Sequence, residues 1–206
     1  MKVLFINGSP HEHGCTDLAI QETCRVLHKH GIETEILWLG TKPIAGCIAC
    51  GKCHKKGKCV FEDVVNEVNG RADEFDALIV GGPVYYGGPC AQLTAFLDRL
   101  FYSGASKWTM KPASSIVSCR RGGASAAFER LNMYFTMSNM PVVTSQYWNQ
   151  IHGHTAEEAA EDEEGLQTMR TLGENMAWLL QCIEAGRQNG VPAPVYEKHI
   201  GTNFIR

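Results

Sequence analysis

A regular alternation of short apolar runs with longer amphipathic ones constrains this chain most. Lys2–Asn7 (KVLFIN) is rich in strand formers. Asp17–His30 reads as a helix closed by Gly31, a residue that accepts the left-handed conformation past a helix end. Thr34–Leu39 is a second strand, and a short helix follows around Val64–Ala72. Ala77–Val80 (ALIV) is apolar throughout, as a strand covered on both faces must be. Pro89 suits the first turn of the next helix, along which Leu93, Phe96, Leu97, Leu100 and Phe101 repeat at helical spacing. Ser114–Ser118 is a fourth strand, Ala124–Met137 a helix and Pro141–Thr144 a fifth strand. A long final helix carries Leu166, Met169, Met176, Leu179, Leu180 and Ile183 on one stripe. Such alternation makes the strands parallel and sends the crossover helices to the two faces of the sheet. The expected fold class is therefore α/β: a doubly wound five-stranded parallel sheet, order 2-1-3-4-5, with helices on both faces.

The 206 residues hold no repeat and suffice for one substantial core. One domain is expected over 1–190, with a cysteine-rich loop, 43–61, inserted after the second strand. A proline-containing tail, 191–206, is expected to pack on a neighbouring subunit. A net charge of −3 is too weak, and of the wrong sign, for a nucleic-acid binder. No apolar run approaches the ~20 residues of a membrane span. The apolar part of MKVLFINGSP is too short for a secretory signal, so a cytoplasmic protein without a membrane partner is expected. The acidic run Glu157–Glu164 reads as a helix start, with Thr155 and Glu158 forming a capping box.

Ligands of such a sheet sit beyond the carboxyl ends of its strands, so the loops there carry the chemistry. The first is GSPHEHGCT, Gly8–Thr16. It is neither a dinucleotide fingerprint nor a lysine-bearing triphosphate loop. Ser9, Gly14 and Thr16 at a helix start suit a phosphate monoester held by hydroxyls and amides, or else a plain capped turn. The second, GGPVYYGGP (Gly81–Pro89), sets Tyr85 and Tyr86 in a glycine frame that can approach and stack on a flat ligand. The third, SCRRGGAS (Ser118–Ser125), adds Arg120 and Arg121. His11, His13, His152 and His154 form two weak HxH patterns, read as surface or supporting histidines. Trp148, beside Tyr147, is either a buried anchor or a cover for a ligand of a neighbouring subunit.

Of nine cysteines, Cys24 and Cys182 lie in helical patterns and read as small core residues. Cys47, Cys50, Cys53 and Cys59 fall in one loop, CIACGKCHKKGKC, at spacing C-x2-C-x2-C-x5-C. Clustered thiols in a reducing compartment bind metal or do redox chemistry. Three readings stand: a [4Fe–4S] cluster closed by Cys59, a four-cysteine zinc site, and metal-free or redox-active thiols. The glycines at 51 and 57 let the loop fold back, and its lysines offset an anionic centre.

The three loops together resemble the flavodoxin-like NAD(P)H-dependent FMN reductases over nearly the whole chain. With the compact cysteine set added, the sequence resembles the iron–sulfur flavoproteins of anaerobic microbes. The resemblance implies that Ser9, His11, Gly14, Cys15 and Thr16 bind the FMN phosphate, Cys15 standing where the family often has Asn or Ser. It implies that Pro83, Val84, Tyr85, Tyr86 and Gly87 frame the isoalloxazine, and that Ser118, Arg120, Gly122 and Gly123 lie beside it. The implied activity is an FMN-dependent oxidoreductase taking electrons from NAD(P)H or reduced ferredoxin, with an unidentified acceptor, working as a homodimer or homotetramer. No acid–base residue is needed for hydride transfer to the flavin; Tyr86, for stacking, and Arg120, for charge stabilisation, are the candidates for direct action. The alternatives are a cluster-free reductase of flavins, quinones, nitro or azo compounds, a flavin electron carrier that does not use NAD(P)H, and a zinc-stabilised interaction module.

Overall fold

The structure is a computed structural model that describes residues 1–202 and 204. Strand β1 (Lys2–Asn7) lies inside the sheet, between the edge strand β2 (Glu33–Trp38) and the central β3 (Ala77–Tyr85). Beyond β3 stand β5 (Ala113–Cys119) and then β6 (Gln150–His152), all parallel. The short β4 (Gly88–Pro89) turns back antiparallel on the end of β3. Counting parallel strands alone, the order is 2-1-3-4-5, the doubly wound arrangement.

Alternation within the strands sorts the core into two layers. Val3 and Phe5 face one side with Ala77 and Ile79, where α1 (Cys15–Lys29) and α7 (Glu163–Gln188) cover them. Leu4 and Ile6 face the other with Leu78 and Val80, under α3 (Val64–Gly70), α4 (Ala91–Gly104) and α5 (Ala124–Met137). Helix α1 ends as expected. Gly31 takes φ +70°, its N–H bonds to His28 O, and Ile32 N–H bonds to Leu27 O, both at 3.0 Å.

Several elements differ from the sequence reading. Pro141–Thr144 is not the fifth strand: it makes one bridge, Val142 to Ala113, and the chain then leaves the edge. Buried Asn149 explains the departure, because its amide donates to Ser114 Oγ (2.9 Å) and Ser115 O (3.1 Å) and so occupies the ladder position. Pairing resumes at Gln150–His152. Pro89 does not open α4. It sits on the edge strand β4, where its missing N–H costs no ladder bond. Strand β3 continues through Gly81 and Gly82 because helices crowd it. A Cβ at Gly81 would stand 2.9 Å from Thr16 Cγ2, and one at Gly82 2.7 Å from Leu93 Cδ2. The acidic run serves two helix starts. Thr155 Oγ accepts from Glu158 N–H at 3.3 Å ahead of the short α6 (Ala156–Ala159), and Asp162 accepts from Gly165 N–H at 2.9 Å ahead of α7. Glu158 reaches back to the N–H of His154, not of Thr155. Cys24 is a core residue, whereas Cys182 is exposed.

Residues 191–202 and 204 of the tail form neither helix nor strand, and residues 203, 205 and 206 lie outside the described part. Among the described residues no helix is long and apolar enough to cross a membrane.

Candidate functional site

An open cleft of 590 Å³ lies at the carboxyl ends of β1, β3 and β5. The loop after β1 forms one wall. Its shape comes from Asn7, whose Oδ1 accepts from Ser9 N–H (3.0 Å) while its amide donates to Glu12 O (3.2 Å). Ser9 Oγ accepts from His11 N–H (3.1 Å), and the Trp38 indole donates to Ser9 O (2.8 Å), pinning the loop to the end of β2. Gly14 stands at the N-cap of α1 with no capping side chain, so the first-turn N–H groups remain for a ligand at the cleft wall. Thr16 Oγ1 and Ser118 Oγ meet at 2.9 Å, both buried, and join the first loop to the third. Cys15 Sγ donates to Thr155 O (3.2 Å). Burial, helped by nearby Glu158 and Glu157, pushes this thiol's pKa up, so Cys15 is a neutral tie rather than an anion facing the helix start.

Of the residues singled out in the sequence, Ser9, His11, Gly14, Cys15, Thr16, Pro83, Val84, Tyr85, Ser118 and Arg120 line this one cleft. Tyr86, Gly87, Gly122 and Gly123 do not. Tyr86 sits at the tip of the β3–β4 hairpin with φ +52° and a fully exposed ring. Gly123 starts α5 with φ +87°, and a Cβ there would lie 2.9 Å from both Gly87 Cα and Val84 Cγ1. These two glycines therefore let the second and third loops touch. His13 and His154 are also on the wall, while His152 leans on Asp162 at 3.4 Å.

The sequence reading missed the fourth wall, Gly153–Glu157, which follows β6. Its one advance signal was the HxH of His152 and His154. Tyr147 and Trp148 are about half exposed and pack on each other at 5.0 Å, so Trp148 is not a buried anchor.

The cysteine loop makes a second site. Cys47, Cys50, Cys53 and Cys59 all line one small pocket against Arg99 and Tyr102 of α4. Cys53 begins a single helical turn, α2 (Cys53–Lys56), which Gly57 ends at φ +68°. Asn66 latches the fourth cysteine: its Oδ1 accepts from Cys59 N–H (2.9 Å) and its amide donates to Cys59 O (3.0 Å) and Phe61 O (2.9 Å). Beneath the loop lies Arg99, 1% exposed and paired with Asp63 through two bonds of 2.7 and 2.8 Å. Burial opposes its charge, but Asp63 and Cys59 outweigh that and raise its pKa. Among the described residues no three His, Cys, Asp or Glu side chains gather closely enough for a single metal ion. A cubane cluster and a structural zinc both take four thiolates. Four thiols around one pocket fit that donor set.

Residues 1–155 match the family described as NADPH-dependent FMN reductase. The chain belongs to that family. The chain is 33% identical over 192 residues to an iron–sulfur flavoprotein of Methanocaldococcus jannaschii, covering 89% of this chain and 100% of that protein. An iron–sulfur flavoprotein of Methanosarcina thermophila is 28% identical over 191 residues, covering 91% of this chain and 99% of that one. The chain thus falls in the iron–sulfur flavoprotein branch and is an FMN-dependent oxidoreductase, for which the family implies a nicotinamide electron source. Its fold is flavodoxin-like. The structure of a WrbA-like flavodoxin from Agrobacterium tumefaciens superposes with TM-score 0.62 at 15% identity, covering 88% of this chain and 98% of that one.

Proposed function

We propose that this protein passes electrons between NAD(P)H, or a reduced ferredoxin, and an acceptor by way of FMN in the cleft and a [4Fe–4S] cluster on the cysteine loop. The observation that carries the cluster is that all four thiols open onto one pocket, on a loop leaving the same edge of the sheet as the cleft. The names of the relatives point the same way.

The FMN phosphate is assigned to Ser9, His11, Gly14, Cys15 and Thr16. Hydroxyls and first-turn amides favour an anion there, and the neutral Cys15 thiol does not repel it. Pro83, Val84 and Tyr85 wall the ring's place, and Gly87, Gly122 and Gly123 shape the loops behind it. Arg120 is assigned the charge that builds up on the ring, and Tyr86 offers a stacking face at the hairpin tip. Bound FMN would accept two electrons together and release them singly. The protein's part is to position, to exclude water and to set potentials. Cys47, Cys50, Cys53 and Cys59 would hold the cluster. A homodimer or homotetramer is also proposed, supported by the exposed Tyr147–Trp148 pair, and sedimentation tests it.

The test is anaerobic purification with a visible spectrum and counts of iron, sulfide and flavin. The reading expects one FMN with about four irons and four sulfides per chain. Cys50→Ser should remove the iron and leave the flavin. Loss of both together would make the loop part of the fold, and one zinc on a colourless protein would make it an interaction module. Reduction by ferredoxin without any NAD(P)H turnover would make the protein an electron carrier.

A further inference from the structure

Among the described residues, Arg99 is the one charged side chain sealed beneath the cysteine loop, 1% exposed on an otherwise apolar helix stripe. A guanidinium has five N–H donors, and here five acceptors meet it. Nη1 donates to Ala45 O (3.2 Å) and Asp63 Oδ2 (2.7 Å). Nη2 donates to Phe61 O (3.4 Å) and Asp63 Oδ1 (2.8 Å). The fifth, Nε–H, donates to Cys59 Sγ at 3.2 Å. One side chain thus grips the loop just before its first cysteine and just after its last, and also touches the sulfur of the fourth.

A salt bridge serving stability alone would need only Asp63, and a buried ion pair is weak evidence of stability in any case. The carbonyls and the thiol are what the other donors add. We infer that Arg99 is the positioning residue of the cysteine site: it closes the loop on itself and donates a hydrogen bond to the Cys59 sulfur, which favours the more negative, reduced state of the bound group. The inference rests on the cluster reading above. Lysine keeps the charge but has three donors on a single nitrogen and cannot serve all five acceptors. Hydrogen bonds and charge around cluster sulfurs set reduction potentials, and loss of such supporting partners typically weakens metal binding about 10- to 100-fold.

The test uses anaerobically purified holoprotein as wild type, R99K and R99M/D63N. The double variant removes both charges together, so no carboxylate is left unpaired. The readouts are iron and sulfide per FMN, the electron paramagnetic resonance spectrum after dithionite reduction, the midpoint potential, and iron loss to a chelator. R99K should keep its FMN, show a shifted spectrum and a more negative potential, and lose iron faster. R99M/D63N should keep FMN and lose iron faster still, about 10- to 100-fold above wild type. Wild-type iron content, spectrum and potential in both variants would overturn the role of Arg99 and leave the cluster reading intact. Loss of FMN along with iron in both would make Arg99 a residue of the fold and overturn it too. A wild-type protein without iron and sulfide would defeat the cluster reading itself, and this inference with it.

Discussion

Gly122 and Gly123 are neighbours in one loop, yet the structure predicts opposite responses to the same added methyl group. Gly123 has φ +87°, and a Cβ there would stand 2.9 Å from Gly87 Cα and from Val84 Cγ1. The left-handed conformation costs an alanine about 1–2 kcal/mol, and forced overpacking against backbone adds about 1–3 kcal/mol. Gly87 cannot swing aside as a flexible side chain tip could, so a total of roughly 2–5 kcal/mol is expected for Gly123→Ala. If the loops stay in contact, the strain lowers the melting temperature of the flavin-free protein by about 4–20 °C for a domain of this size. If they part, the cleft opens and FMN binds more weakly, by about thirtyfold for each 2 kcal/mol. Gly122 lacks a left-handed φ and would meet nothing within 4 Å, so Gly122→Ala should stay within about 0.5 kcal/mol of wild type on both measures. Thermal melts and fluorescence titration with FMN read the two quantities. Equal behaviour of the two variants would refute the reasoning that these loops are held in contact.

Three further outcomes follow from the packing. Arg71 is the main cause, with Lys2 assisting against an opposing effect of burial, that holds the Glu35 carboxyl at about 2. Because that value is depressed, its contribution is present above the ordinary carboxylate range and lost as pH falls toward it. Glu35→Gln should cost about 1 kcal/mol at neutral pH, with the two urea-unfolding curves converging from about pH 5 to pH 2. Asn66→Ala removes three hydrogen bonds to Cys59 and Phe61. At about 1 kcal/mol each, with two of them replaced by water in the opened loop, amide exchange at Cys59 should rise about fivefold. Leu93→Ala should cost about 2–5 kcal/mol in urea unfolding, since Leu93 is fully buried against the sheet beside Gly8 and Gly82.

What could be read from the sequence was what repeats locally. KVLFIN marks β1 to the residue, Ala124–Met137 marks α5 likewise, and Gly31 marks the end of α1. Parallel order followed from alternation, and with it the loops that form the cleft. What stayed hidden depends on long-range partners. Asn149 diverts the sheet edge only because Ser114 and Ser115 are folded beside it. Gly81 and Gly82 looked like a ligand frame but make room for Thr16 and Ile20 of α1, far away in sequence, and for Leu93 of α4. Tyr86 was the tyrosine expected to act directly, yet the hairpin sends it outward and leaves Tyr85 on the cleft wall. Nothing local marks Arg99, because its five acceptors lie 36 to 54 residues away.

The central claim, that the loop after β1 and the uncapped start of α1 hold a phosphate within a flavin cleft, is tested most directly by calorimetric titration of flavin-free protein with FMN and with riboflavin. Two charge-assisted hydrogen bonds at about 1.5–3 kcal/mol each predict one FMN per chain, bound at least roughly 100-fold more tightly than riboflavin. Equal affinity for the two flavins would contradict it.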